Sequence, residues 1–358
     1  MKIFTVGPVA AYPCTKEINL KEFPYFRSES YSETVKYCLK YLNRYIGHSE
    51  DDSMIYLTCS GTGAMDAVVD NCVSDGDISI VINGGTFGHR FCEILGRYNK
   101  KYVSLNLNWN EELTEQHLEK IDRKDIKFIF VNVHETSSGH LYDISILSKF
   151  AKKNGLFLIV DAISSILADS YQMDANGIDV TIFSSQKGLC LSPGLSLVAL
   201  SDRMKNKVIE ENNSKSYYFY FKDYLCNIQR GQTPFTPANN VIYELRSMID
   251  YIESNGGCQK WILGVENKAL YFRKKATDVG LEIPKGYRLS NALTPVMIRN
   301  KDAKNIYQYL VDHFQTYVNP CGGALAHDLI RVSHIGNTTF QDFDLLINEI
   351  LEALEAKQ

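Results

Sequence analysis

The chain has 358 residues, 45% of them apolar and 22% charged, and a net charge of −4. That describes an ordinary globular protein of about two domains. The slight acidity gives no electrostatic reason to expect nucleic acid or an anionic membrane as partner, and no apolar run approaches the ~20 residues that cross a bilayer.

Met1 to Pro8 is a short strand-like run without the apolar core of a signal peptide. From residue 53 onward, strands alternate with helices. Ser53–Thr58 is strand-like, and Ala64–Cys72 is a helix of small and apolar residues. Ile78–Ile82 is a strand, followed by a helix over Gly88–Tyr98. Lys127–Val133 is a strand, followed by a helix over Ile144–Asn154 that Gly155 ends. Strands over Leu156–Val160, Ile178–Phe183 and Leu195–Leu200 follow. Apolar runs without clean alternation, separated by helices, predict a parallel sheet covered on both faces. Ligands of such sheets bind beyond the carboxyl ends of the strands.

The composition changes after Leu200. Residues 212–224 are rich in Tyr, Lys and Ser, and Thr233-Pro234-Phe235-Thr236-Pro237 is a stiff loop. A long helix begins near Asn239 and meets Gly256-Gly257. Strands over Leu293–Ile298 and Leu329–Ser333 and an amphipathic helix over Phe340–Leu354 form an α+β segment. The expected division is a large domain over 1–250 and a small one over 251–358. Nine cysteines without a C-x-x-C pair predict reduced thiols and a cytoplasmic protein.

The polar residues that interrupt this pattern sit at strand ends. Lys187, in Ser184-Ser185-Gln186-Lys187-Gly188, follows the Ile178–Phe183 run. A lone loop lysine is usually a surface residue. One held at a strand exit and partly desolvated can lose its proton near neutral pH and attack a carbonyl. Asp161 ends the Leu156–Val160 run. Ser60-Gly61-Thr62-Gly63 opens the helix at Ala64, and such a turn is either a plain βα connection or a phosphate cradle. His134-Glu135-Thr136-Ser137-Ser138-Gly139 offers hydroxyls, but residue 138 is not the second histidine of an H-E-x-x-H zinc site, and no other spacing suggests a metal. Phe87, between glycines, either covers the sheet end or stacks on a flat ring. Arg331, inside a strand-like run, pairs with a carboxylate of the protein or of a substrate.

In this order the residues resemble fold-type I pyridoxal-phosphate enzymes, and in detail the class V aminotransferase family. That branch holds the alanine–glyoxylate, serine–pyruvate and 2-aminoethylphosphonate–pyruvate transaminases. The resemblance runs from Thr5-Val6-Gly7-Pro8 to Arg331. It is most specific at Val160-Asp161-Ala162-Ile163-Ser164-Ser165, at Ser184–Gly188 with Pro193-Gly194, and at His134–Gly139. It implies an α/β fold with a mostly parallel central sheet, helices on both faces and a smaller C-terminal α+β domain.

It also implies pyridoxal 5′-phosphate as cofactor and small amino and keto acids as substrates. Lys187 would be the Schiff-base lysine, and Asp161 the carboxylate facing the pyridine nitrogen. Phe87 would stack on the ring, and Ser137 would lie near its O3′ oxygen. Thr62, Gly63, Ala64 and Gln186 would hold the phosphate. Thr236 would be lent by a partner subunit, which implies a homodimer. Arg331 would clamp the substrate α-carboxylate. Arg27 is either a second substrate anchor or a structural pair, and Arg230 is a further candidate. The Phe235–Ala238 loop resembles the phosphonate-linked branch.

Two other readings stay open. One is a lyase, decarboxylase or desulfurase on the same fold, although desulfurases carry histidine where this chain has Gln186. The other is a non-catalytic phosphate-binding α/β protein, which leaves Asp161, Lys187 and Arg331 as coincidence. The residues do not fix the donor, the acceptor, whether a phosphonate is involved, or the pathway.

Overall fold

The six predicted apolar runs and one further strand pair into one seven-stranded sheet. Across it the strands run Met54–Leu57, Ser196–Leu200, Val180–Ser184, Phe157–Asp161, Ile126–Asn132, Ile78–Asn83 and Lys101–Asn106. This is a computed structural model, and it describes residues 1–49, 53–121, 125–211, 214–299 and 302–356.

The strands from Val180–Ser184 to Lys101–Asn106 are mutually parallel. Ser196–Leu200 departs from the expectation and runs antiparallel to both neighbours. The segment between residues 184 and 196 contains no helix. A parallel return needs a longer crossover, so the chain turns back on itself. The edge strand Lys101–Asn106 escaped the sequence reading because none of its residues is buried, so it shows no apolar run.

Residues alternate across the sheet. Phe128, Phe130, Ile159, Ile182 and Val198 pack with the helices Gly61–Cys72 and Thr86–Arg97 on one face. Ile129, Val131, Leu158, Val160 and Leu197 pack with Glu29–Ile46, Ile144–Asn154 and Asn239–Ser254 on the other. Burying a Phe such as Phe130 contributes about 1.5–3 kcal/mol. Polar side chains and a glycine cap these helices, and of these caps the sequence predicts only Gly155. Ser28 accepts from the Tyr31 amide, Asp143 accepts from the Ser145 amide, and Gly155 ends its helix at φ +67°.

A second sheet has the order Lys2–Phe4, Thr316–Pro320, Leu329–Ser333, Leu293–Met297. Its core joins Phe4, Phe272, Val296, Ile306 and Phe343. The N-terminal strand thus pairs inside the unit that otherwise follows residue 250. From Phe4 the chain crosses toward the large sheet, carrying Gly7 to the ends of its strands. No described helix is long and apolar enough to cross a membrane.

Candidate active site

Parallel register sets the first pair of functional groups side by side. Asn132 and Asp161 are partners at the ends of adjacent strands. Asn132 Nδ2 donates to Asp161 Oδ2 at 2.7 Å, and the Ile163 amide donates to Oδ1 at 2.9 Å. These bonds fix the plane of the carboxylate. Burial nevertheless pushes the Asp161 carboxyl up to about 6, against the pull of the Ile163 amide and Asn132.

Lys187 follows the next strand in a loop that is pinned at both ends. The Ser185 amide donates to the Leu195 carbonyl at 2.9 Å, and the Cys190 amide to the Lys187 carbonyl at 2.9 Å. Ser185 Oγ donates to the Ser192 carbonyl and the Ser192 amide to Glu244, each at 2.7 Å. Gly188 lets the loop dock on the neighbouring turn, since a Cβ there would lie 1.9 Å from the Ile166 carbonyl oxygen. Gly7 covers the lysine from the other side. A Cβ on it would stand 2.6 Å from Lys187 Cδ and 3.0 Å from Nζ. Burial pulls the ammonium down to about 8; Asp161 opposes that, and Arg331 and Arg90 add to it.

The helix Gly61–Cys72 points its N-terminus at this lysine. Its first amides have no intrahelical acceptor, and Ser60 supplies no side-chain cap. Thr62 Oγ1 accepts from Arg90 Nη1 at 3.0 Å, and the same guanidinium lies 4.6 Å from the centre of the Phe87 ring. Thr62, Phe87, Arg90, Asn132, Thr136, Asp161, Gln186 and Lys187 all line one cleft at the carboxyl ends of the strands.

Several expected residues lie elsewhere. The Ala64 amide is not free, because it donates to the Ser60 carbonyl at 3.2 Å. Gly63 packs near Cys59, just inside the helix. Ser137 does not line the cleft, and its hydroxyl donates to Glu135 at 2.6 Å. Thr136 faces the cleft in its place. Thr236 is exposed and does not line the cleft. Arg331 adjoins the cleft through the Thr136 carbonyl, which accepts from Nη1 at 2.5 Å, while its Nε has no partner among the described residues. Arg27 is held by Gln232 Oε1 at 3.1 Å and by the Thr233 and Pro234 carbonyls at 2.8 and 3.1 Å. It is therefore the clasp of the Pro-rich loop. Arg230 is exposed and donates to Asn227.

The sequence reading assigned nothing to Gly7, Arg90, Asn132, Thr136 or Glu135. The buried Glu135 carboxylate accepts from the Phe87 and Gly88 amides, each at 3.0 Å, and so caps the helix Thr86–Arg97 that carries Phe87. A larger hollow of about 510 Å3 opens at the opposite ends of the strands, around His48, Asp174 and Arg203. Two contacts cross it, His48 with Asp174 at 2.7 Å and Arg203 with Asp179 at 2.6 Å.

Residues 26–275 match the family described as aminotransferase class-V. The chain belongs to that family. An uncharacterized aminotransferase of Methanocaldococcus jannaschii is 30% identical over 266 residues, which are 72% of this chain and 65% of that one. The alanine–glyoxylate aminotransferase of Felis catus is 26% identical over 87% of this chain and 78% of its own. Among solved structures, an alanine–glyoxylate aminotransferase from Nostoc sp. superposes with a TM-score of 0.90 at 23% identity, over 99% and 96% of the two chains. The fold is that of the fold-type I pyridoxal-phosphate aminotransferases, and the protein is an enzyme of the transaminase class.

The cleft fits the cofactor of that class. Free helix amides and a guanidinium suit a phosphate. A buried carboxylate suits a protonated ring nitrogen. The Gln186 Oε1 and Asn132 Oδ1 atoms are buried there without partners among the described residues, as expected where a polar group belongs.

Proposed function

We propose that this protein moves an amino group between a small amino acid and a 2-oxo acid such as glyoxylate or pyruvate, with pyridoxal phosphate anchored on Lys187. The observation that carries the proposal is the setting of Lys187. It packs, half-buried, between Gly7 and its own loop, its basicity is lowered, and it shares a cleft with Asp161. When bound, pyridoxal phosphate supplies an electrophilic carbon for the amine and a ring that takes up electron density from Cα.

The protein's own residues do the rest. With the lysine at about 8, roughly a tenth of it is unprotonated at pH 7 and able to act as nucleophile. Lys187 Nζ then accepts the proton leaving the substrate Cα and returns it. Asp161, fixed by Asn132 and the Ile163 amide, holds a proton on the ring nitrogen. Phe87 gives the ring a face. Thr62, Arg90 and Gln186 take the phosphate. Arg331 offers its remaining N–H groups to the substrate carboxylate, and Arg27, clasped to its loop, is left out.

Arg331 is the one guanidinium that serves as carboxylate anchor in this reading, which favours a small monocarboxylic substrate. The name of the Felis catus relative, alanine–glyoxylate aminotransferase, supports the same pair.

A homodimer completes this reading. Thr236 is exposed beside the stacked rings of Tyr218 and Phe235, which lie 5.0 Å apart, and Tyr217 is 84% exposed. Such a patch suits a partner subunit to which Thr236 is lent. Borohydride reduction and peptide mapping are expected to find the cofactor on Lys187, and Lys187→Ala to abolish turnover with the fold intact. A label on another lysine refutes the assignment. Sedimentation of the holoenzyme is expected to give a dimer at micromolar concentration, and a fully loaded monomer refutes the shared site.

A further inference from the structure

Away from the cleft, where the long helix Gly257–Asp278 meets the N-terminal segment, lies a hollow of about 450 Å3. Tyr12, Tyr251 and Trp261 form one wall, with ring centres 5.2–6.2 Å apart. Lys268 reaches in from the same helix, and its Nζ donates to the Gly336 carbonyl at 3.1 Å. That carbonyl is already occupied, because Tyr12 Oη also donates to it at 3.1 Å. An ammonium has three donors, so two remain. Among the described residues no carboxylate pairs with Lys268, and the residues lining the hollow include Lys260 but no Asp or Glu.

A half-buried ammonium held by a carbonyl and by no carboxylate is well answered by an anion. Tilted and edge-on aromatic rings offer little to a hydrated inorganic ion and much to a flat apolar body. The two remaining donors of Lys268 match the two oxygens of a carboxylate. We propose that this hollow is a binding site for a small molecule with a flat apolar or aromatic body and a single carboxylate. The occupant bridges the N-terminal segment through Tyr12 and the long helix through Trp261 and Lys268. Burial pulls Lys268 down to about 8, so affinity should weaken as the pH rises through that value and the ammonium is lost. The site is independent of the substrate reading given above.

The test is calorimetric titration of the holoenzyme with 3-phenylpropionate. Millimolar or tighter binding is expected, and the uncharged 3-phenylpropanamide should bind about tenfold or more weakly. Lys268→Met should cost a similar factor, and Lys268→Arg, which keeps the charge, should retain most of the affinity. Gly264 lines the hollow on the helix, and a Cβ there meets nothing within 4 Å. Gly264→Leu should therefore block the hollow while the helix persists. Neither Lys268 nor Gly264 belongs to the cleft, so cofactor absorbance and turnover should be unchanged in these variants. Arg331→Gln separates the two sites: binding that survives it supports the proposal, and binding that it abolishes places the probe in the cleft and overturns it. Absence of binding at about 10 mM, or affinity indifferent to both Lys268→Met and Gly264→Leu, overturns it as well.

Discussion

Replacing Asp161 by asparagine should make the cofactor-free protein more stable while damaging its chemistry. The carboxyl is fully buried, and it titrates at about 6 instead of the ordinary 3.8. The folded state therefore holds a proton that the unfolded chain has lost between those two values. Stability from this group is complete below about pH 4, falls as the pH rises toward 6 and levels off above it. At 1.36 kcal/mol per tenfold change in proton affinity, the loss is about 3 kcal/mol by pH 7.

The substituted amide would carry no charge, and its hydrogen bonds can be kept. The Asn132 amide can turn over, so that its unpartnered Oδ1 accepts from the new amide while the Ile163 N–H is still received. Urea unfolding of both apo proteins from pH 4 to pH 7.5 measures the effect. The stability of Asp161→Asn relative to wild type is expected to rise by about 2.5 kcal/mol across that range. Any constant offset from imperfect packing cancels. With cofactor the order reverses: the variant should bind pyridoxal phosphate less tightly and turn over at least about a hundredfold more slowly, since a group matched to a charged ring nitrogen has gone. A relative stability that is flat or falling with pH would refute the assignment of a buried, unwillingly ionised carboxylate at the strand end.

Two further outcomes follow from the geometry. Arg331→Lys should raise the KM for glyoxylate and pyruvate by the equivalent of about 2–5 kcal/mol, with the cofactor absorbance unchanged, because an ammonium cannot reproduce the guanidinium fork; unaltered kinetics would make Arg331 a tie between the Thr136 and Pro320 carbonyls. Gly7→Ala should leave the unfolding midpoint within about 1 kcal/mol of wild type yet weaken cofactor binding by roughly fivefold to a hundredfold, because the added methyl displaces Lys187 and not the backbone; equilibrium dialysis of the cofactor checks it.

The class of fold was legible from the chain because each core strand is an apolar run that ends in a polar residue. Asp161 and Lys187 stood out at strand exits for that reason, and the S-G-T-G turn stood out by its glycines. The pattern failed where burial did not dictate composition. The half-exposed strand Lys101–Asn106 has no apolar signature, and the antiparallel turn of Ser196–Leu200 is a property of the connection before it and not of its residues.

The supporting residues of the site were not legible at all. Asn132 reaches Asp161 across 29 positions, Glu135 reaches the Phe87 amide across 48, and Gly7 meets a lysine 180 residues away. The resemblance already favours Arg331 as the carboxylate anchor and leaves Arg27 open, and the fold clasps Arg27 to the Pro-rich loop and brings Arg331 beside the cleft. Local sequence determines periodicity and chain reversal, because those depend on neighbours a few residues apart. Which polar groups are buried together, and hence which carboxylate resists ionisation and which lysine loses its proton early, depends on desolvation and on charges that only the packed tertiary structure brings within reach.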